Sequence, residues 1–251
     1  MQSLKIKTLK MAALLGAVTL MGAAQAAGVP NQGTWETTLK PRDLDGILAN
    51  GPEAFYDTDL NITWLRAGNT YGAISGDEAR AWAKQTFFGL KGWRLPNAVD
   101  KGGNGCDWSN KGGTDCGYNP DSSVATGSEM AHLFFQSLGN KSYYIPGTTT
   151  VQTGYGLTNT GNFQTLWQPG VYWAFQKDFP DMDVAWIFDT EYGMQQFKGF
   201  GKNDPLLYAL AVRDGDVTEA VPVPEPQTYA LMLAGLGLMG FAARRRSSNK
   251  Q

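Results

Sequence analysis

Two apolar runs, one at each end of the chain, read as export and sorting segments rather than as parts of a globular core, and setting them aside leaves a single block to fold. At the front, Lys5, Lys7 and Lys10 precede the small-residue apolar run Met11 to Ala23, and Ala24-Gln25-Ala26 follows. A basic stretch, a short apolar stretch and an A-x-A site in that order read as a secretory signal over residues 1–26. At the back, Val223-Pro224-Glu225-Pro226 leads into the apolar run 228–243 and then Arg244-Arg245-Arg246. As a helix this run covers ~24 Å, short of the ~30 Å hydrocarbon core. It spans if the arginines snorkel and the bilayer thins. Arginines on the cytoplasmic side put the body outside, the topology that the front signal also gives.

Between these ends lie about 195 residues, enough for one domain with a real core. Seven of the 21 basic residues lie in the ends, as does one of the 23 acids, so the body holds 14 basic and 22 acidic residues. An acidic body repels phosphate backbones, which argues against nucleic acid as a partner. Glycine at 31 residues predicts a loop-rich fold, and eight Trp, ten Tyr and twelve Phe predict an ordered one.

Helical signals come early in the body and strand signals late, which predicts an α+β class. Thr34 to Leu39 and Ile62 to Arg66 read as strands. Ser75-Gly76-Asp77-Glu78 is a capping box ahead of Ala79, Trp82, Ala83, Thr86 and Phe87, with Gly89 as the stop. Thr126-Gly127-Ser128-Glu129 reads as a second capping box. Met130, Leu133, Phe134 and Leu138 then share one helix face, and Gly139-Asn140 ends it. Four strands are expected at Val171 to Phe175, Ala185 to Phe188, Gln195 to Phe200 and Leu207 to Val212. Pro180-Asp181 and Lys202-Asn203-Asp204-Pro205 supply turns.

Cys106 and Cys116 are the only cysteines, and they bracket a Gly-, Asn- and Asp-rich segment. In an oxidising compartment they read as a disulfide, which would stabilise the fold by roughly 2–3 kcal/mol. A redox or metal thiol pair is the alternative. His132 is the only histidine, and helical spacing places it with Gln136 on the outer face. Any histidine-based catalytic set would have to use it, and no nucleophile-elbow, zinc-protease or phosphate-loop motif is present. Neither catalytic residues nor a resident cofactor is expected.

Calcium is the one ion that the sequence suggests. Carboxylate pairs recur at Asp43/Asp45, Asp57/Asp59, Asp181/Asp183 and Asp214/Asp216. Asp57-Thr58-Asp59-Leu60-Asn61 begins like a calcium loop but has Ile62 where glycine is needed. Such pairs are commonly turn residues bonding their own backbone. Trp82, Trp93, Trp173 and Trp186 sit in predicted elements and are expected in the core. Trp108 and Trp167 sit in loops, where a flat apolar face can stack on a sugar ring, and they are the candidate ligand-binding residues. Arg94 and Arg213 are expected to pair with carboxylates.

Two resemblances add to this reading. Pro224-Glu225-Pro226, the Gly-rich apolar stretch Leu231 to Phe241 and the triplet Arg244, Arg245, Arg246 resemble the PEP-CTERM sorting signal. This implies processing by an exosortase, a membrane cysteine protease, then release or attachment at the cell surface, in a setting where extracellular polysaccharide is made. In the body, Gly92-Trp93-Arg94-Leu95-Pro96, Ser128-Glu129-Met130, Asn159-Thr160-Gly161, Tyr172-Trp173, Ala185-Trp186 and Ala211-Val212-Arg213 fall in the order seen in the Lcl C-terminal domain family. That resemblance implies a C-type lectin-like variant with two helices flanking short antiparallel sheets. The family's small hydroxyl residue after Tyr-Trp is replaced here by Ala174.

The expected organisation is a signal peptide over 1–26, a strand and loop segment over 27–54, a lectin-like domain over 55–220, and a sorting tail over 221–246 with a membrane helix at 228–243. The expected function is an exported, exosortase-sorted surface protein acting as a non-catalytic binding module for extracellular polysaccharide. A structural or adhesive protein that binds protein partners or itself is the alternative.

Overall fold

A computed structural model describes residues 28–70, 72–101, 105–167, 169–175, 185–198 and 206–217, with 233, 234, 236 and 239. The signal segment, the sorting residues, the 176–184 segment with its Asp181/Asp183 pair, Phe200 and the 202–205 turn lie outside the described residues. Among the described residues no helix is long and apolar enough to cross a membrane. The helix expected over 228–243 lies almost wholly outside them.

The body is α+β, with few helices and two five-stranded, mostly antiparallel sheets. The first contains β1 (Leu39–Arg42), β2 (Ala54–Asp57), β3 (Ile62–Leu65), β4 (Trp93–Arg94) and β10 (Val212–Asp214), in the order β1-β2-β3-β10-β4. The second contains β5 (Trp108–Ser109), β6 (Cys116–Tyr118), β7 (Val171–Ala174), β8 (Ala185–Asp189) and β9 (Met194–Lys198), in the order β5-β6-β9-β8-β7. Among the strands of the described residues, only β5 and β6 run parallel. The late strand β10 inserts between β3 and β4, with Val212 opposite both Trp64 and Arg94.

Strands β2, β3, β7 and β8 are buried on both faces, and their period of two divides the core. Phe55, Trp64, Tyr172 and Phe188 point into one cluster with Met130, Leu133 and Phe134. Ala54, Leu65, Trp173 and Ile187 point into the other with Ala79, Trp82 and Ala83. Each cluster therefore takes its helical cover from a different helix. These are α2 (Gly76–Ala83) for the second cluster, and α3 (Glu129–His132) with its π-helical continuation Leu133–Ser137 for the first. Trp82, Trp93, Trp173 and Trp186 are all buried, as expected.

Several expectations need correction. Trp35–Thr38 forms a helical turn, α1, and the first strand starts only at Leu39. Leu207 to Val212 is not a strand; Leu207 and Tyr208 make single bridges, and regular pairing begins at Val212. Helix α2 stops at Ala83, well before Gly89, because Phe87 and Leu90 close a tight turn on each other. The second capping box does not form. The cap of α3 is Ser128, and its side chain makes no capping bond. Its Oγ accepts from Val99 N instead, while Glu129 accepts from Asn97 N and binds Arg94.

His132 is buried rather than outward-facing, at 2% exposure. The 120–127 loop lies over what would have been the outer helix face. The His132 Nδ1 is 2.9 Å from the Ser122 carbonyl, and Gln136, which does remain exposed, donates to Ser122 Oγ.

Candidate functional site

Cys106 and Cys116 form the expected disulfide, with Cα atoms 5.5 Å apart. It packs against Ala98, Ala174 and Trp186, so the polar loop is stitched to one apolar edge of the second sheet. Within the loop β5 lies very close to β6. A Cβ at Gly117 would stand 1.8 Å from Ser109 O, and Gly117 has φ +91°, so only glycine fits there. Asp115 ties the loop ends together by accepting from Lys101 N and Asp107 N. Burial, with the neighbouring Asp100, raises its pKa against the pull of those two N–H groups. The Asp115 carbonyl accepts from the buried Gln195 side chain.

This frame holds Trp108 outward at 54% exposure, and the ring is not isolated. It meets Tyr118 edge-on at 6.3 Å, and Tyr118 meets Tyr144 at 4.8 Å and Tyr143 at 5.8 Å. Tyr143 in turn contacts Tyr155 at 4.8 Å and Tyr192 at 5.5 Å. Six rings from four chain segments thus form one connected aromatic surface, and all five tyrosines are partly exposed. Burial and the adjacent tyrosines raise the Tyr118 phenol above its ordinary pKa, and a hydrogen bond to Glu191 does the same for Tyr192. Raised in this way, the Tyr118 and Tyr192 phenols stay neutral donors near neutral pH.

Backbone pairing holds the tyrosine segments in place. Tyr143 N donates to Tyr192 O, Gln152 N to Tyr143 O, and Gly147 N to Lys111 O. The Asn119 side chain donates to Ser142 Oγ and Tyr144 O, and the Gln152 side chain to Ser142 O and Tyr144 O. A Cβ at Gly193 would meet Ser142 Cα at 2.9 Å, which is how closely the β8–β9 turn and the tyrosine loop approach. Trp108 stands out in the sequence, whereas these tyrosines do not. Their signal was the density of tyrosine in turn-rich segments with no strand alternation, above all the pair Tyr143-Tyr144 ahead of Ile145-Pro146-Gly147.

Trp167 stands apart. It is 48% exposed and its ring lies 6.3 Å from Tyr208, which contacts the buried Tyr172. Its backbone is pinned by Tyr172 Oη and Thr190 Oγ1. Among the described residues no ring contact joins Trp167 to the Trp108 surface.

Two concavities lie elsewhere. One of about 320 Å³ is lined by Arg80, Lys84, Arg94, Leu95, Asn97, Phe175 and Asp214. Its arginines are already engaged, Arg80 with Asp77 and Arg94 with Glu129 and Asp214. The other, about 410 Å³, includes Asp45, Glu53, Arg66, Trp82 and Phe88. Arg94 pairs with carboxylates as expected, whereas Arg213 donates to the carbonyls of Lys91 and Asp216. The pair Asp43/Asp45 caps the backbone of Gly46 and Ile47, while Asp214 and Asp216 bind Arg94 and Arg42. Asp57 accepts from Asp59 N, Leu60 N and the Trp64 indole, and burial holds its pKa above the ordinary range.

Residues 222–246 match the model of the PEP-CTERM protein-sorting motif, a span that includes Pro224, Glu225, Pro226 and Arg244 to Arg246. The match marks an exported surface protein with a membrane-anchored sorting signal that an exosortase processes. No curated protein and no solved structure matches the chain.

Proposed function

We propose that the body is a non-catalytic, lectin-like binding module for extracellular polysaccharide, displayed at the cell surface or released there once the tail is processed. The observation that carries this reading is the connected aromatic surface around Trp108. Flat rings offer apolar faces to the C–H faces of pyranose rings, and the phenol groups donate to and accept from sugar hydroxyls. Several rings spread over a rigid frame suit an extended polymer better than a small molecule, which would favour a closed cavity.

The test is binding of the purified protein, disulfide intact, to polysaccharide from the producing cells. Trp108→Ala and Tyr144→Ala should each weaken binding by about tenfold, the effect of losing ~1.4 kcal/mol from one stacked ring. Trp167→Ala, outside the aromatic group, should leave it unchanged. Absence of saturable binding by the folded wild-type protein would remove the reading.

A second reading rests on the same residues, because tyrosine and tryptophan are also enriched at protein interfaces. In that case the surface is adhesive and pairs with protein or with a second copy. Oligomers that Trp108→Ala dissolves, without glycan binding, would favour it.

A further inference from the structure

His132 is the chain's only histidine, and its Nε2 is buried without a hydrogen-bond partner. The other ring nitrogen fixes its chemistry. Nδ1 stands 2.9 Å from the Ser122 carbonyl, which can only accept, so Nδ1 carries the proton. With Nε2 unprotonated, its lone pair faces Asp59 Oδ2, 3.7 Å away. Asp57, Asp59 and His132 each offer one atom to this gap, and the three atoms lie within 4.8 Å of one another. Where lone pair and carboxylate charge face one another beside the buried His132 and Asp57 they repel, and a cation between them removes the conflict.

We infer that Asp57, Asp59 and His132 form a site for a divalent transition cation of the zinc class, joining the β2–β3 turn to α3. An imidazole with two carboxylates is a donor set that zinc-class ions accept, whereas calcium takes six to eight oxygens. Ligand atoms around a tetrahedral zinc at bonds of about 2.0–2.2 Å stand about 3.3–3.6 Å apart, close to the 3.7 Å between Nε2 and Asp59. The Ser122 carbonyl supplies the outer partner that metal-bound histidines commonly have, holding the ring in the tautomer with Nε2 free. Asp57 is oriented by Asp59 N, Leu60 N and Trp64 Nε1. Asp59 is exposed, so a fourth position faces solvent and the ion has a route in. This site is independent of the aromatic surface and of the polysaccharide reading.

The experiment uses the full chain, purified without a polyhistidine tag and stripped with chelator. Cobalt absorption counts the ions, and ¹⁵N spectra of the single imidazole report on each nitrogen as zinc is added. The expected result is one ion per chain, with the Nε2 resonance moving and Nδ1 staying protonated. Asp59→Asn, a surface substitution that keeps the fold, should weaken binding at least about tenfold, and calcium should not displace zinc. The inference is overturned if the folded protein takes up no stoichiometric metal, or if Asp59→Asn binds as the wild type does. An Nε2 that stays protonated in excess zinc would also overturn it, leaving an imidazolium paired with Asp59.

Discussion

Two helix starts in this protein carry nearly the same sequence signature and are used in opposite ways. At α2, Ser75 Oγ accepts from Glu78 N, and the Glu78 carboxylate accepts from Ser75 N, so the box closes on itself. At α3 a hydroxyl residue again stands three positions before a glutamate, yet every group reaches elsewhere. Thr126 Oγ1 donates to Asp121 at 2.6 Å, Ser128 Oγ accepts from Val99 N, and Glu129 holds Arg94 with both oxygens at 2.8 Å. The difference follows from depth. The start of α2 faces water, where only local partners compete for its orphan N–H groups. The start of α3 is buried against β4 and the 97–101 segment, whose own N–H and guanidinium groups need acceptors. A local signature holds where no tertiary partner makes a stronger claim.

The sharpest way to test that contrast is Glu129→Ala. It strips Arg94 of its main partner in a largely buried place and leaves Asn97 N unpaired. The fold should lose about 2–4 kcal/mol, a lower Tm by roughly 4–16 °C. Denaturant unfolding that shows no more loss than a surface substitution would end the claim that Glu129 is a tertiary residue. Next in size is Ser128→Ala, which orphans the Val99 N–H and should lower stability by about 1–2 kcal/mol without shortening α3. Ser75→Ala should lower stability by about 1 kcal/mol through the helix end itself. Amide exchange should then quicken at Asp77 and Glu78, and exchange confined to the far end of α2 would contradict the cap.

The smallest effect is on pH. Burial would raise Asp121, but the Lys101 ammonium, the Thr126 hydroxyl and Ser123 hold its carboxyl well below the usual range. Glu78 is lowered by its bonds to Ser75. A carboxyl whose folded pKa is depressed adds stability that is complete above its unfolded value, near 4, and is lost as pH falls toward the folded one. The Tm should therefore be level down to about pH 5 and fall below pH 4. Asp121→Asn should lower the plateau and flatten the acid slope. An unchanged slope would show that Asp121 contributes nothing to acid sensitivity.

How much was legible varied with how local the cause was. The capping box at Ser75, the disulfide and the apolar sides of α2 and α3 depend on neighbours within a turn or on two unique residues, and each was readable. The burial of His132 was not, because the 120–127 loop that covers it is held there by Asp121, Ser122 and Ser123, residues that read as an ordinary polar turn. Strand β2 was missed because it is four residues long and shows no alternation, being buried on both faces, with Phe55 in one core cluster and Ala54 in the other. Of the aromatic surface only Trp108 was found. Tyr118, Tyr143, Tyr155 and Tyr192 are far apart in the chain and meet because the tyrosine loop pairs with the β8–β9 turn.

The amino-acid order alone determined the sorting end, the α+β character, the disulfide and the tryptophans that would be buried. These follow from hydropathy, periodicity and the count of cysteines, which need no knowledge of distant neighbours. Only the tertiary structure decided that Glu129 serves Arg94 rather than its own helix, that six rings make one surface, and that His132 faces Asp57 and Asp59. Hydrogen-bond and charge partners are chosen by proximity in space, and burial raises the penalty for leaving any of them unpaired. Once α3 is packed between the sheet and the loop, the partners within reach overrule the signature written in the sequence.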